Sequence, residues 1–184
     1  MRKKNLVMGI MAAVFVAVSW MGTCQAARPN VSDTVGVEKF IEAFNRIASE
    51  DGIYRITKWE SGPVDGGYQG FGCFISDNVS LPKSIVMSLS AAPDGYLNNV
   101  VLQIFSKTSY AGRAATFIPV YAVRAFGDTD IIDVQKVTEC VNHFMETHRR
   151  SWITWESSNG KTYRTVCEMG QNRSFNVVIF CPEE

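Results

Sequence analysis

The stretch from Leu6 to Gly22 contains no charged residue, and Arg2, Lys3 and Lys4 stand directly in front of it. Such a leader decides which part of a chain folds and where. Its basic end stays on the cytoplasmic side while the apolar segment enters the bilayer. At about 17 residues the segment sits at the lower edge of what spans a membrane as a helix. Cys24-Gln25-Ala26 then puts a small residue at each cleavage-recognition position. Residues 1–26 therefore read as a signal peptide cut after Ala26, with cleavage after Ala27 close behind. Two rival readings use the same residues: an uncleaved anchor, and a lipid anchor through Cys24. Met21-Gly22-Thr23 fits the lipid-anchor pattern poorly, because it lacks the usual Leu and offers Thr where a smaller residue is preferred.

Export changes the meaning of the remaining cysteines, Cys73, Cys140, Cys167 and Cys181. An even number in an oxidising compartment reads as two disulfides, with three possible pairings. Cys167 and Cys181 flank an expected hairpin centred near Arg173 and are the favoured pair, which leaves Cys73 with Cys140. Loss of Arg2, Lys3 and Lys4 from a chain of zero net charge leaves about −3 on the mature part. That balance provides no basic field for a nucleic-acid backbone. After processing, no second apolar span remains to hold the chain in a membrane.

Apolar periodicity orders the mature chain. Val37, Phe40, Ile41, Phe44 and Ile47 recur at helical spacing and predict a helix from about Thr34 to Ser49, ended by Asp51-Gly52. Strands are expected at 53–59, 68–76, 84–90 and 97–105, separated by turn residues such as Pro93-Asp94-Gly95. A second helical region, 113–126, is interrupted by Pro119, where a kink or a late start is expected. A stronger helix is predicted from Ile131 to about Arg149, capped by Asp128 or Asp130, with His148 packing at its end. Three strands follow, at 151–156, 161–168 and 174–181, and Asn159-Gly160 marks a hairpin between the first two.

Short linkers between consecutive strands exclude helical crossovers, so the fold class is α+β: an antiparallel sheet covered by helices. The mature chain divides into 27–109 and 110–184, which form either one compact domain or two tandem helix-plus-sheet modules. A weak internal match supports the tandem arrangement: Trp59 precedes Cys73 much as Trp155 precedes Cys167. The order loosely resembles the tandem helix-and-sheet modules of secreted beta-lactamase inhibitor proteins. That likeness is one of architecture, without shared motifs, and it implies a protein-binding role.

Catalytic patterns are scarce. The histidines are His143 and His148, both on one helix, and no Gly-x-Ser-x-Gly turn occurs. Cys140-x-x-His143 brings a thiol and an imidazole near one another, yet a structural disulfide removes that nucleophile. Glu139 and His143 supply two potential zinc ligands without a third. Asp128, Asp130 and Asp133 lack the full calcium-loop spacing and suit a helix start instead. Gly66-Gly67 and Gly70-x-Gly72 join no strand to a helix, so they are turn and bulge residues rather than a phosphate loop. Sequons at Asn30, Asn78 and Asn172 matter only in a glycosylating cell.

These absences favour a binding domain without catalytic residues, cofactor or metal. Tyr54, Trp59, Tyr68, Trp152, Trp155 and Tyr163 are its candidate contact residues. Strand alternation cannot place all of them on the helix-covered face, and exposed aromatics supply contact area at low entropic cost. The expected partner is a protein, in the periplasm or outside the cell. The alternative is a small cell-envelope glycan binder, or a glycoside hydrolase that uses Glu60 and Glu156, each directly after a tryptophan.

Overall fold

The computed structural model describes residues 29–51, 54–77, 85–105, 109–126, 131–157, 160–170 and 174–183. The leader, Cys24, Asn78, Asn172, Arg173, and the Asp128 and Asp130 caps lie outside the described residues. Among those described, the chain runs α1 (Val37–Asp51), β1 (Tyr54–Pro63), β2 (Gln69–Asp77), β3 (Ile85–Ala91), β4 (Leu97–Ile104), α2 (Ser109–Ala125), α3 (Ile131–Thr147), β5 (Ser151–Glu156), β6 (Thr162–Met169) and β7 (Phe175–Phe180). The strands form one antiparallel sheet in the order β1-β2-β3-β4-β7-β6-β5. The expected α+β class is what the chain adopts.

Register divides the sheet into two faces. One row runs Trp59, Cys73, Met87, Leu102, Val177, Cys167 and Ser151 across all seven strands. Cys73, Met87, Leu102, Val177 and Cys167 from this row join the same core as Phe40 and Phe44 of α1, Ile118 of α2 and Val141 and Phe144 of α3. All three helices therefore pack on this side. The intervening row carries Glu60, Gly72, Ser88, Val101, Val178, Val166 and Trp152, and its valines stand outside that core. No described helix packs on that second face.

Local rules account for the element boundaries. The amide of Phe40 donates to the Gly36 carbonyl at 2.9 Å, and Gly36 is bridged to Tyr96. Helix α1 thus starts at Val37 rather than Thr34. Its apolar stripe then buries Val37, Phe40, Ile41, Phe44, Ile47 and Ala48. Helix α2 begins at Ser109, earlier than periodicity suggested, and continues through Pro119. Favourable packing of Ile118, Tyr121 and Ala122 in the core outweighs the amide hydrogen lost at the proline. At the end of α3, His148 does not pack as expected. It is exposed at φ 55°, and its amide donates to the Phe144 carbonyl at 2.7 Å. A left-handed residue in that place ends the helix.

Asn45 fixes α1 to the sheet. Its side-chain nitrogen donates to the Ile56 carbonyl at 3.0 Å, and its oxygen accepts from the Ile56 amide at 2.8 Å. The β1–β2 register shifts immediately afterwards, between Ile56 and Lys58. The side-chain amide thus satisfies backbone groups at the start of a bulge. Asn45→Ala leaves both groups without that partner and is expected to cost about 1–3 kcal/mol of stability. Urea unfolding followed by circular dichroism measures the loss, and an unchanged midpoint rejects the anchoring role.

The two halves of the chain meet in the β4–β7 pairing, so the sheet is continuous across the 109/110 division. Six successive antiparallel pairings leave β1 and β5 running in the same direction. A twofold axis normal to the sheet would reverse one of them. An axis along the strands would put α1 and α3 on opposite faces. Neither operation fits, and the halves are not copies related by rotation. The register agrees: Trp59 lies opposite Cys73, whereas Trp155 lies opposite Tyr163.

Candidate functional site: an edge tryptophan and a thiol pair

Strand β5 forms one border of the sheet, and its residues alternate between two environments. Trp155 points into the core, is 4 % exposed, and stacks on Tyr163 at 4.6 Å between ring centres. Its indole nitrogen donates to Thr165 Oγ1 at 3.1 Å. Trp152, three residues earlier, points to the opposite side and is 65 % exposed. Arg164 of β6 holds it there, with the guanidinium carbon 5.7 Å from the indole centre. The Arg164 Nε also donates to Thr154 Oγ1 at 3.2 Å. Val166 and Val178 continue the row inward from Trp152. This cluster presents a large aromatic beside a fixed cation, a combination suited to protein contacts.

The two sheet borders are not equivalent. Strand β1 contains the register shift and ends in Pro63, and both features discourage further strand pairing. Strand β5 pairs with β6 through six residues without a shift. Its other side carries backbone donors and acceptors that β6 does not use.

Beneath β5, on the helix side, lies the second cluster. The Sγ atoms of Cys140 in α3 and Cys167 in β6 are 3.6 Å apart, with the residues 4 % and 0 % exposed. Ser151 Oγ donates to the Cys140 carbonyl at 2.9 Å and lies 3.6 Å from its sulfur. The hydrogen bond available from Cys167 lowers the Cys140 pKa to about 7, against the opposing effect of burial. The same interaction pushes the Cys167 thiol up. Burial pushes Cys73 up to about 12 and Cys181 up to about 11. All four are free thiols in this structure.

No family model, curated protein or solved structure matches this chain.

The sequence-derived contact residues separate sharply. Trp152 and Trp59 are exposed and Tyr68 is half-buried, whereas Tyr54, Trp155 and Tyr163 are buried in the core. Tyr163 donates its hydroxyl to the Val31 carbonyl at 2.8 Å and stacks on Phe126 as well as Trp155. These three side chains are packed in the core rather than displayed on the surface. Trp59 remains 45 % exposed but lies on the helix-side row of β1, at the far border from Trp152. The two exposed indoles do not share a surface. Alternation along β5 could separate Trp152 from Trp155, but only knowledge of the covered face says which one points inward. Arg164 was missed. The hairpin signal at Asn159-Gly160 sets the β5–β6 register that would have placed it beside Trp152 and Thr154.

The favoured cysteine pairing is not what the fold brings together. Cys167 lies opposite Val177 rather than Cys181, whose sulfur instead donates to the Asn30 carbonyl at 3.4 Å. Cys73 lies on β2, four strand steps from Cys167, while Cys140 sits against Cys167 itself. The Cys140–His143 dyad also fails to form, because Cys140 is buried and His143 is exposed.

Glu60 and Glu156 occupy opposite borders of the sheet. Six interstrand steps separate those borders by roughly 29 Å. A pair of glycosidase carboxylates needs a separation below about 10 Å, so these two cannot act on one bond. Among the described residues, no group of three His, Cys, Asp or Glu side chains is placed to hold a metal ion. No described helix is long and apolar enough to cross a membrane. A cavity of about 180 Å³ lies beside Tyr163. Lys161 at its wall is bound to Asp33 at 2.6 Å and donates to the Asn30 carbonyl at 2.9 Å. The cavity is smaller than the roughly 300 Å³ at which ligand pockets begin.

Proposed function

We propose that this chain is an exported domain without catalytic residues that captures an extended segment of a protein partner along β5, a border strand of the described sheet. The carrying observation is Trp152, 65 % exposed on an unshifted border strand and steadied by Arg164. An added strand would pair with the outer backbone groups of β5 and place alternate side chains against Trp152 and Thr154. The indole supplies apolar contact area, and Arg164 supplies a charge that selects acidic or carbonyl-rich neighbours. Export is supported by the basic-apolar leader and by the two juxtaposed thiols. The separation of Glu60 from Glu156 weighs against the hydrolase alternative.

Peptides selected from a displayed library against the full chain provide the test. Trp152→Ala is expected to weaken the selected peptides by about 30-fold, the loss of a contact worth about 2 kcal/mol. Thr154→Pro should have a comparable effect, because proline removes a backbone donor and its ring obstructs pairing, while a border strand tolerates it. Circular dichroism confirms that both variants remain folded. Cell-wall oligosaccharides that bind Thr154→Pro and wild type equally, with no peptide selected, would favour glycan recognition and overturn strand capture.

A further inference from the structure

We propose that Cys140 and Cys167 form a disulfide that fastens α3 to β6, and that Cys73 and Cys181 remain thiols. This covalent link extends beyond partner capture and does not depend on it. The two sulfurs already lie 3.6 Å apart in contact with one another. Bond formation closes that gap by about 1.5 Å, within reach of small side-chain rotations.

Geometry excludes the other pairings. Cys73 is separated from Cys167 by β3, β4 and β7. Four interstrand steps amount to roughly 19 Å, and Cys140 packs on the Cys167 side of that interval. Cys181 is four residues beyond Val177, the residue opposite Cys167, and hence roughly 13 Å along the strand direction. Bridged cysteines have Cα atoms within about 7 Å. Cys140 and Cys167 are the pair whose sulfur atoms are in contact.

The required oxidant is a disulfide donor, for which oxidised glutathione is the simplest chemical representative. The Cys140 thiolate attacks one glutathione sulfur, forms a mixed disulfide and releases one glutathione thiolate, which takes up a proton. Cys167 then loses its proton and attacks the Cys140 sulfur, releasing the second glutathione. The two cysteines together give up two electrons and two protons, and one glutathione disulfide becomes two thiols. Cys140 is only 4 % exposed in the packed chain. Ser151 and Cys167 surround it once the core closes, so oxidation proceeds fastest before α3 is fully packed.

The full chain carrying Cys24→Ser, which removes the leader thiol, is refolded in reduced and oxidised glutathione. Free thiols are then blocked in denaturant, and peptides are mapped by mass spectrometry. The expected product contains a Cys140–Cys167 linked peptide, with Cys73 and Cys181 alkylated in full. Adding Cys73→Ser and Cys181→Ser together should preserve the link. Adding Cys140→Ser should abolish it and make Cys167 alkylatable. A Cys73–Cys140 or Cys167–Cys181 peptide overturns the assignment, as does full alkylation of Cys140 in refolded protein. Peptide capture by β5 is read separately, so loss of either result leaves the other intact.

Discussion

Trp155→Ala should remove about 3–5 kcal/mol of unfolding free energy, whereas Trp152→Ala should change it by less than about 0.5 kcal/mol. The two residues lie on one short strand, three positions apart, so intrinsic strand preference cannot separate them. Their surroundings do. Trp155 ends a chain of ring contacts that passes through Tyr163, Phe126, Phe40, Phe44 and Tyr121. That chain joins β5, β6, α1 and α2, and spans both halves of the sequence. Truncating Trp155 leaves a cavity beside Tyr163 and removes the donor that Thr165 Oγ1 receives. Trp152 has no comparable burial, and its removal chiefly frees Arg164. Chemical unfolding of both variants gives the comparison. Equal destabilisation would show that Trp152 belongs to the folded core and would remove the case for its role in recognition.

Reduction of the Cys140–Cys167 bridge has the second large expected effect. The bridge closes a loop of 28 residues. Restricting such a loop in the unfolded chain is worth about 3–4 kcal/mol on the chain-entropy account. Addition of dithiothreitol should lower the urea midpoint accordingly, with the slope showing a less compact unfolded state. The Cys140→Ser/Cys167→Ser protein provides the control, because its midpoint should not respond to reductant. Coincident curves for oxidised and reduced wild type would mean that no stabilising bridge forms. Cys73 provides a useful contrast: it is fully buried on the helix-side row, but packing alone accounts for its position.

Trp152 and the Cys140–Cys167 sulfur pair lie on opposite faces of the same strand pair. Cys167 on β6 is opposite Ser151, the residue directly before Trp152. The proposed bridge would therefore fix the strand against which β5 is registered, while Arg164 packs on the indole from the outer face. A rigid border lowers the entropic cost of adding a strand.

Much of the fold could be read along the chain. Alternation over Ser151–Glu156, the apolar stripe of α1 and the turn residues at Pro93-Asp94-Gly95 are short-range signals. Each fixes an element through its own backbone geometry, and the corresponding elements appear with boundaries shifted by a few residues. Those signals determined the antiparallel α+β class and the alternation that separates Trp152 from Trp155. They did not determine which face the helices cover. That depends on how α1, α2 and α3 share one core, and it decides that Trp155 and Tyr163 are buried while Trp152 is exposed. Nor did they determine that β7 inserts between β4 and β6, because strand order arises from pairings far apart in sequence. This long-range choice brings Cys167 against Cys140, carries Cys181 away, and sets Glu60 and Glu156 at opposite borders. Spacing along a chain gives periodicity, whereas distance between side chains exists only after the sheet has closed.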